Sequence, residues 1–255
     1  MQIRHIRHAT FILEFNGKKI LIDPMLGEKG SMAPIPNVPN KEGNPTAELK
    51  TPLETILAFD AVIITHIHRD HFDEAAIELL PKDRPVFCQP EDEKTLKGIG
   101  FQKVNAIPEN AEWEGISFTR TGGRHGHGTT ALKLAPVSGF VLAAPGEQVI
   151  YITGDSVYCS CVVETLDRFK PGVVVCNCGE ARFRYGRPIT MNAQDVLAVC
   201  NKLPEARVVC VHMEAWNHCR LTRKALSNFA DNSGIKSRVY IPDDGEILEP
   251  EWLRG

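Results

Sequence analysis

Apolar and β-branched residues open the chain in two short runs, residues 10–15 and 19–22, split by Asn16-Gly17. Asn-Gly between such runs is a strong hairpin signal, because both residues accept the positive φ of a type I′ turn. The pattern therefore predicts antiparallel sheet at the start. Over residues 23–52 it dissolves into Pro, Gly and Asn without a period, too long for an ordinary connector, and reads as a functional flap. Order returns with a helical stretch at 53–58, the wholly apolar run Ala61-Val62-Ile63-Ile64 of buried-strand length, and a helix at 73–80 with acidic residues in its first turn. A strand at 86–88 and a helix at 91–97 repeat the alternation. Strands are then expected at 115–121, 131–134, 139–143 and 148–153. The last third alternates again: helix 162–169, strand 173–176, helix 192–201, strand 207–211, helix 222–231 and strand 238–241. Two mixed halves without a linker predict one α/β domain over residues 1–255, with a two-sheet core and helices outside.

Composition sharpens this in three ways. A formal charge of −3 offers no global basic field, so neither nucleic acid nor an anionic membrane is an expected partner. The eight cysteines fall largely inside apolar runs, as Cys176 and Cys210 do, which is the habit of buried free thiols. The pairs Cys159/Cys161 and Cys176/Cys178 are spaced too tightly for a structural zinc knuckle. The charged start, Met1 to His8, lacks a signal-peptide core, and nowhere do about 18 apolar residues run together. A soluble cytoplasmic protein is the expectation; oligomeric state is not legible.

The chemistry concentrates in His66-Ile67-His68-Arg69-Asp70-His71, directly after an apolar strand. Imidazole nitrogen and carboxylate oxygen suit zinc, iron or manganese, and a loop at a strand end can turn alternate side chains toward one point. More distant ligands are needed to close a two-metal site, and predicted strand ends supply candidates: His125 or His127, Asp155, and His212.

This constellation resembles the metallo-β-lactamase superfamily, whose hallmark is His-x-His-x-Asp-His followed downstream by His, Asp and His. The segments Arg7-His8-Ala9-Thr10, Leu21-Ile22-Asp23-Pro24, Gly179-Glu180-Ala181, Ile189-Thr190-Met191 and Pro242-Asp243-Asp244-Gly245-Glu246 are similar to its branch related to L-ascorbate-6-phosphate lactonase. The resemblance implies a four-layer αββα sandwich. It further implies two divalent metal ions, zinc or alternatively manganese, with His66, His68 and His125 on one ion and Asp70, His71 and His212 on the other. Asp155 would bridge them. His125 is preferred to His127 because the family motif reads His-Gly after a Gly-rich approach.

A hydroxide between two such ions is a nucleophile at neutral pH, so no Ser or Cys is needed. Asp70 and Asp155 are then the catalytic carboxylates, with Asp70 orienting the hydroxide. Asp23 and His127 are candidates for the layer behind the ligands, Asp23 by accepting from a ligand imidazole. His8 is a candidate pocket residue. Arg182, Arg184 and Arg187, interleaved with Phe183 and Tyr185, offer paired donors for a phosphate or carboxylate, or simply form a solvated loop. The expected activity is hydrolysis of a lactone, ester or phosphoester of a small anionic molecule. A nuclease or phosphodiesterase of the same fold, a redox protein and a non-catalytic metal-binding module are the alternatives.

Overall fold

The computed structural model describes residues 1–248 and 250–254. Two seven-stranded sheets lie at the centre. The first is built from β1 (Gln2–Arg7), β2 (Thr10–Phe15), β3 (Lys18–Ile22), β4 (Ala61–Ile64), β5 (Pro85–Cys88) and β6 (Lys103–Ala106), side by side in chain order. Its first three strands are antiparallel and the pairings from β3 onward are parallel. The second sheet contains β7 (Asn110–Trp113), β8 (Ile116–Gly122), β9 (Ser138–Ala143), β10 (Ile150–Ile152), β11 (Val173–Asn177), β12 (Arg207–Val211) and β13 (Val239–Tyr240), again in chain order. It likewise turns from antiparallel to parallel, at β10. The short β14 (Ile247–Leu248) returns to pair with the free edge of β1.

Side-chain alternation with period two explains the layering. On β3, Ile20 and Ile22 enter the core between the sheets, while Leu21 faces the helices α1 (Leu53–Ile56), α2 (Glu74–Leu79) and α3 (Glu93–Ile99). On β11, Val173 and Val175 face inward, and Val174 and Cys176 pack outward with Val162, Leu166, Val196 and Val199 of the helices that cover this sheet. Both faces are covered, so the central strands are continuous apolar runs. Phe87 and Phe118 stack across the sheet interface with ring centroids 4.6 Å apart, worth about 0.5–1.5 kcal/mol beyond their burial. The result is an αββα sandwich.

The segment 131–134, expected as a strand, is instead the end of a short helix, α4 (Gly128–Leu134). Both neighbours that could have paired with it, β8 and β9, already pair with each other. Ala131 and Leu134 are half-buried while Leu132 and Lys133 are exposed, a spacing that belongs to a helix. The outer helices α5 (Ser160–Phe169), α6 (Ala193–Lys202) and α7 (Arg223–Asn232) cover the second sheet, and α8 (Pro250–Arg254) follows β14. Asn192 and Asp195 start α6 with a capping box.

Four strands escaped the sequence pattern, among them the two-residue β14. Edge strands β6 and β7 are polar and only half-covered, and β1 carries Arg4, His5 and Arg7. Arg7 is fully buried, and its guanidinium donates to the carbonyls of Met25, Gly27 and Ala47 at 2.8, 2.9 and 3.0 Å. These bonds pin the irregular 23–52 segment to the first sheet. Asn217 holds the far part of that segment through Asn44 and the amide of Ile35.

Candidate metal centre

β1, β3 and β4 point the same way in the first sheet, as do β8, β10, β11 and β12 in the second. Their C-terminal ends therefore share one rim of each sheet. His8 follows β1, Asp23 follows β3, and Thr65-His66 follows β4. His125 comes shortly after β8, Asp155 after β10 and His212 directly after β12. Leaving a strand this abruptly demands unusual backbone: His8, Asp23 and His212 all have positive φ, at 59°, 44° and 67°. Such strain persists only where surrounding structure over-determines it. The backbone is also tightly packed here, since a Cβ on Gly154 would lie 2.2 Å from the Ser138 carbonyl oxygen.

The side chains converge in two adjoining groups. Donor atoms of His66, His68 and His125 all lie within 4.8 Å of one another, and so do those of Asp70, His71, Asp155 and His212. Asp155 joins the groups: its Oδ1 is 3.2 Å from His71 Nε2 and 3.3 Å from His212 Nε2, and its Oδ2 is 3.5 Å from His125 Nε2. The Nε2 atoms of His66, His71 and His212 are buried and make no hydrogen bond. An orphaned buried polar atom costs about 1–3 kcal/mol. Several aimed at one carboxylate are what a divalent cation with nitrogen and oxygen ligands would satisfy, so the donor set fits divalent metal ions.

Charges in the cluster agree with this. Burial lowers His66 well below its usual range, reinforced by the neighbouring His71 and His68. Burial would lower His71 too, but the Asp155 and Asp23 carboxylates outweigh it and lift that imidazole to about 10. His212 is likewise raised, against burial, chiefly by Asp155. Asp155 and Asp70 stay ionised despite burial, Asp155 through the surrounding imidazoles and Asp70 through the neighbouring His212 and His8 imidazoles. The chain thus collects positive charge around Asp155 where an ion would otherwise supply it.

A family model, that of the beta-lactamase superfamily domain, matches residues 18–213. The chain belongs to the metallo-β-lactamase superfamily. Within it, the UPF0173 protein YddR of Bacillus subtilis is 38% identical over 250 residues, covering 96% of this chain and 98% of that one. The crystal structure of an isothiocyanate hydrolase from Delia radicum gut bacteria superposes with a TM-score of 0.93 at 38% identity, covering 98% and 99% of the two chains. A possible metal-dependent hydrolase from Veillonella parvula does so with a TM-score of 0.94 at 33% identity over 97% and 98%. The protein is a metal-dependent hydrolase of the metallo-β-lactamase fold. No helix among its described residues is long and apolar enough to cross a membrane.

Around the donors of this metallo-β-lactamase site lies a supporting layer. Asp23, 1% exposed, accepts from the Thr65 amide and hydroxyl, both at 2.7 Å, and lies 2.8 Å from His71 Nδ1. His8 is fully buried, with Nε2 3.4 Å from Asp70 Oδ2 and its ring centroid 3.7 Å from that of His212. The structure thus sets His8 behind Asp70. His127 sits half-buried at the N-cap of α4, outside both donor groups, while His125 lies inside one. The three arginines have separate surroundings. Arg182 Nη2 is 3.6 Å from Glu180, Arg184 lies over the Tyr185 ring at 5.7 Å, and Arg187 is exposed near His127.

Several residues at the site carried no signal in the sequence reading. Asn177, 2% exposed at the end of β11, donates to Asp155 Oδ1 at 3.0 Å. Its place between β10 and β12, whose ends carry Asp155 and His212, could have found it by the same strand-end rule. Cys219 Sγ is 3.7 Å from His212 Nδ1 and 4.0 Å from His218 Nδ1. Burial drives His218 down to about 4. Neither Cys219 nor His218 follows a strand, and only the tertiary fold brings them here.

Proposed function

We propose that the protein holds two divalent metal ions and hydrolyses a small electrophilic compound, with an isothiocyanate as the favoured substrate class. The observation that carries the reading is the set of buried, unbonded imidazole nitrogens directed at Asp155. His66, His68 and His125 would hold one ion, and Asp70, His71 and His212 the other, with Asp155 shared; zinc and manganese both suit these donors. When bound, the ions supply water that deprotonates near neutral pH and polarise the bond under attack. Asp70 stays ionised and would orient the attacking water. Asn177 fixes the rotation of Asp155, and Asp23 that of His71.

The substrate class draws on the isothiocyanate hydrolase, which shares 38% of residues over nearly all of both chains. A phosphoester or anionic lactone finds less support, because Arg182 faces Glu180, Arg184 lies over the Tyr185 ring and Arg187 is exposed, so that the three do not converge on one anion site. Water adding across the C=N bond of R–N=C=S gives R–NH–C(=S)–OH, and passage of the hydroxyl proton to sulfur gives the thiocarbamic acid R–NH–C(O)–SH. Cleavage of its C–N bond, with the thiol proton passing to nitrogen, releases the amine and carbonyl sulfide.

The test is metal analysis after reconstitution with zinc or manganese, followed by turnover of phenethyl isothiocyanate, γ-butyrolactone, p-nitrophenyl acetate and bis-p-nitrophenyl phosphate. Two ions per chain and fastest release of phenethylamine are expected. His66→Ala, Asp70→Ala and His212→Ala should each lower metal content and abolish turnover; full activity in any of them refutes the mechanism. Faster lactone or phosphodiester cleavage moves the substrate to that class. Two ions without activity on the panel overturn catalysis.

A further inference from the structure

The 23–52 segment, α4 and the 182–187 loop meet at an open cleft of about 390 Å³. Phe183, Tyr185 and Leu134 line it with apolar surface, and Thr130, Lys133, Asn37 and Arg184 complete it. The Arg184 amide donates to the Asn37 carbonyl at 2.7 Å, tying the 182–187 loop to the 23–52 segment at this point.

The cleft is coupled to the donors through the start of α4. A Cβ on Gly126 would meet Ile189 Cγ2 at 2.9 Å and Thr130 Cγ2 at 3.5 Å, so a lining residue packs against the neighbour of His125. The Ile189 carbonyl in turn lies 2.9 Å from His125 Nδ1. Tyr185 is 83% exposed and Leu132, also on α4, is 79% exposed, whereas the other exposed large hydrophobics among the described residues, Leu53 and Leu79, reach only 37% and 38%. Exposed apolar surface is thus concentrated beside the site. The volume falls in the range of small-molecule pockets, roughly 300–1,000 Å³. Two aromatic side chains beside a few polar groups suit a flat ring or an alkyl chain.

We propose that this cleft is the subsite for the apolar substituent of the substrate, aryl or alkyl, while the electrophilic group lies at the metal donors. The substrate part rests on the hydrolase reading above; the binding part does not. The occupant is a small apolar group, and Tyr185 and Phe183 set the preference for its size.

The first arm uses isotope-labelled, metal-stripped protein titrated with 2-phenylethanol, an unreactive probe, and read by amide chemical shifts. Shifts are expected at Thr130, Leu134, Phe183 and Tyr185, with binding weakened at least fivefold in Tyr185→Ala. The second arm restores the metal and compares two substrates. The ratio of kcat/KM for phenethyl isothiocyanate to that for methyl isothiocyanate should fall about five- to tenfold in Tyr185→Ala and Phe183→Ala. Absence of shifts at these amides, or an unchanged ratio, overturns the proposal. So does a dimer that Tyr185→Ala dissociates in sedimentation velocity without altering probe binding, since the face then belongs to a second copy. Probe binding that is lost in Tyr185→Ala, with no turnover of either isothiocyanate, refutes the substrate class and supports an apolar-ligand subsite.

Discussion

Replacing Asp23 by Asn perturbs the electrostatics of the centre without removing any proposed ligand. Asp23 takes two hydrogen bonds from Thr65 and faces His71 Nδ1 at 2.8 Å. An acceptor there holds a proton on His71 Nδ1, so that the Nε2 lone pair is the one freed for an ion when one binds beside Asp155. Asn fills the same volume with one oxygen and one NH₂. The oxygen stays with the Thr65 amide, and the NH₂ turns to His71, which then accepts at Nδ1 and carries its proton on Nε2. That tautomer cannot bind an ion through Nε2. The expected loss of metal affinity is about 10- to 100-fold, or roughly 1.4–2.7 kcal/mol. The folding cost is smaller, because the Thr65 hydroxyl can turn to His66 Nδ1, 3.0 Å away. About 1–2 kcal/mol, a drop in Tm of roughly 2–8 °C for a chain of this size, is expected. Asp23→Ala, by contrast, orphans the Thr65 amide and the His71 Nδ1 proton at about 1–3 kcal/mol each, and should unfold far more readily. The assay is zinc titration calorimetry on metal-stripped protein, paired with thermal unfolding in chelator. A folded Asp23→Asn protein that binds zinc within threefold of the parent would refute the reasoning.

Three further outcomes are expected. Burial lifts Asp92, despite a hydrogen bond from Gln89, from 3.8 to about 6. The folded chain therefore holds that proton more tightly, its benefit is full below 3.8, and it is lost as pH rises through 6. Asp92→Asn should accordingly gain about 1–2 kcal/mol at pH 7.5 relative to pH 4, after solvent screening is allowed for; chemical denaturation at the two pH values reads this, and a gain equal at both contradicts it. His125→Ala should cost metal content and activity, while His127→Ala should keep both within about twofold, as elemental analysis will show; the reverse order would exchange their roles. Gly154→Ala drives a Cβ to 2.2 Å from the Ser138 carbonyl at a φ of +58°, and should lower Tm by at least about 6 °C, whereas a shift under about 3 °C would mean that β9 yields cheaply.

Much of the architecture was legible because central strands and amphipathic helices follow local rules. Asn16-Gly17 lies between β2 and β3, the apolar run 61–64 is β4, and the strand and helix alternation after residue 160 is observed with shifts of one or two residues. Edge strands β6 and β7 lacked a buried face to announce them, and α4 was misread because Leu132-Lys133-Leu134 alternates apolar and polar over too short a run to tell strand from helix, while its neighbours were already paired.

At the site, the six residues from His66 to His71 are readable alone, since their spacing is local and follows a buried strand. His125, Asp155 and His212 are legible only as strand ends, and it is the parallel register of β10, β11 and β12 that brings two of them to one rim. Nothing local separates His125 from His127; backbone geometry at Gly126 and the carbonyl of Ile189, 63 residues further on, does so. The same holds for Asn177 on Asp155, Cys219 on His212 and the cleft of Phe183 and Tyr185. Periodicity and spacing act over a few residues, so the sequence determined the layers and the donor types; side chains brought together by sheet register and loop closure carry no such local signal, so tertiary structure decided their partners.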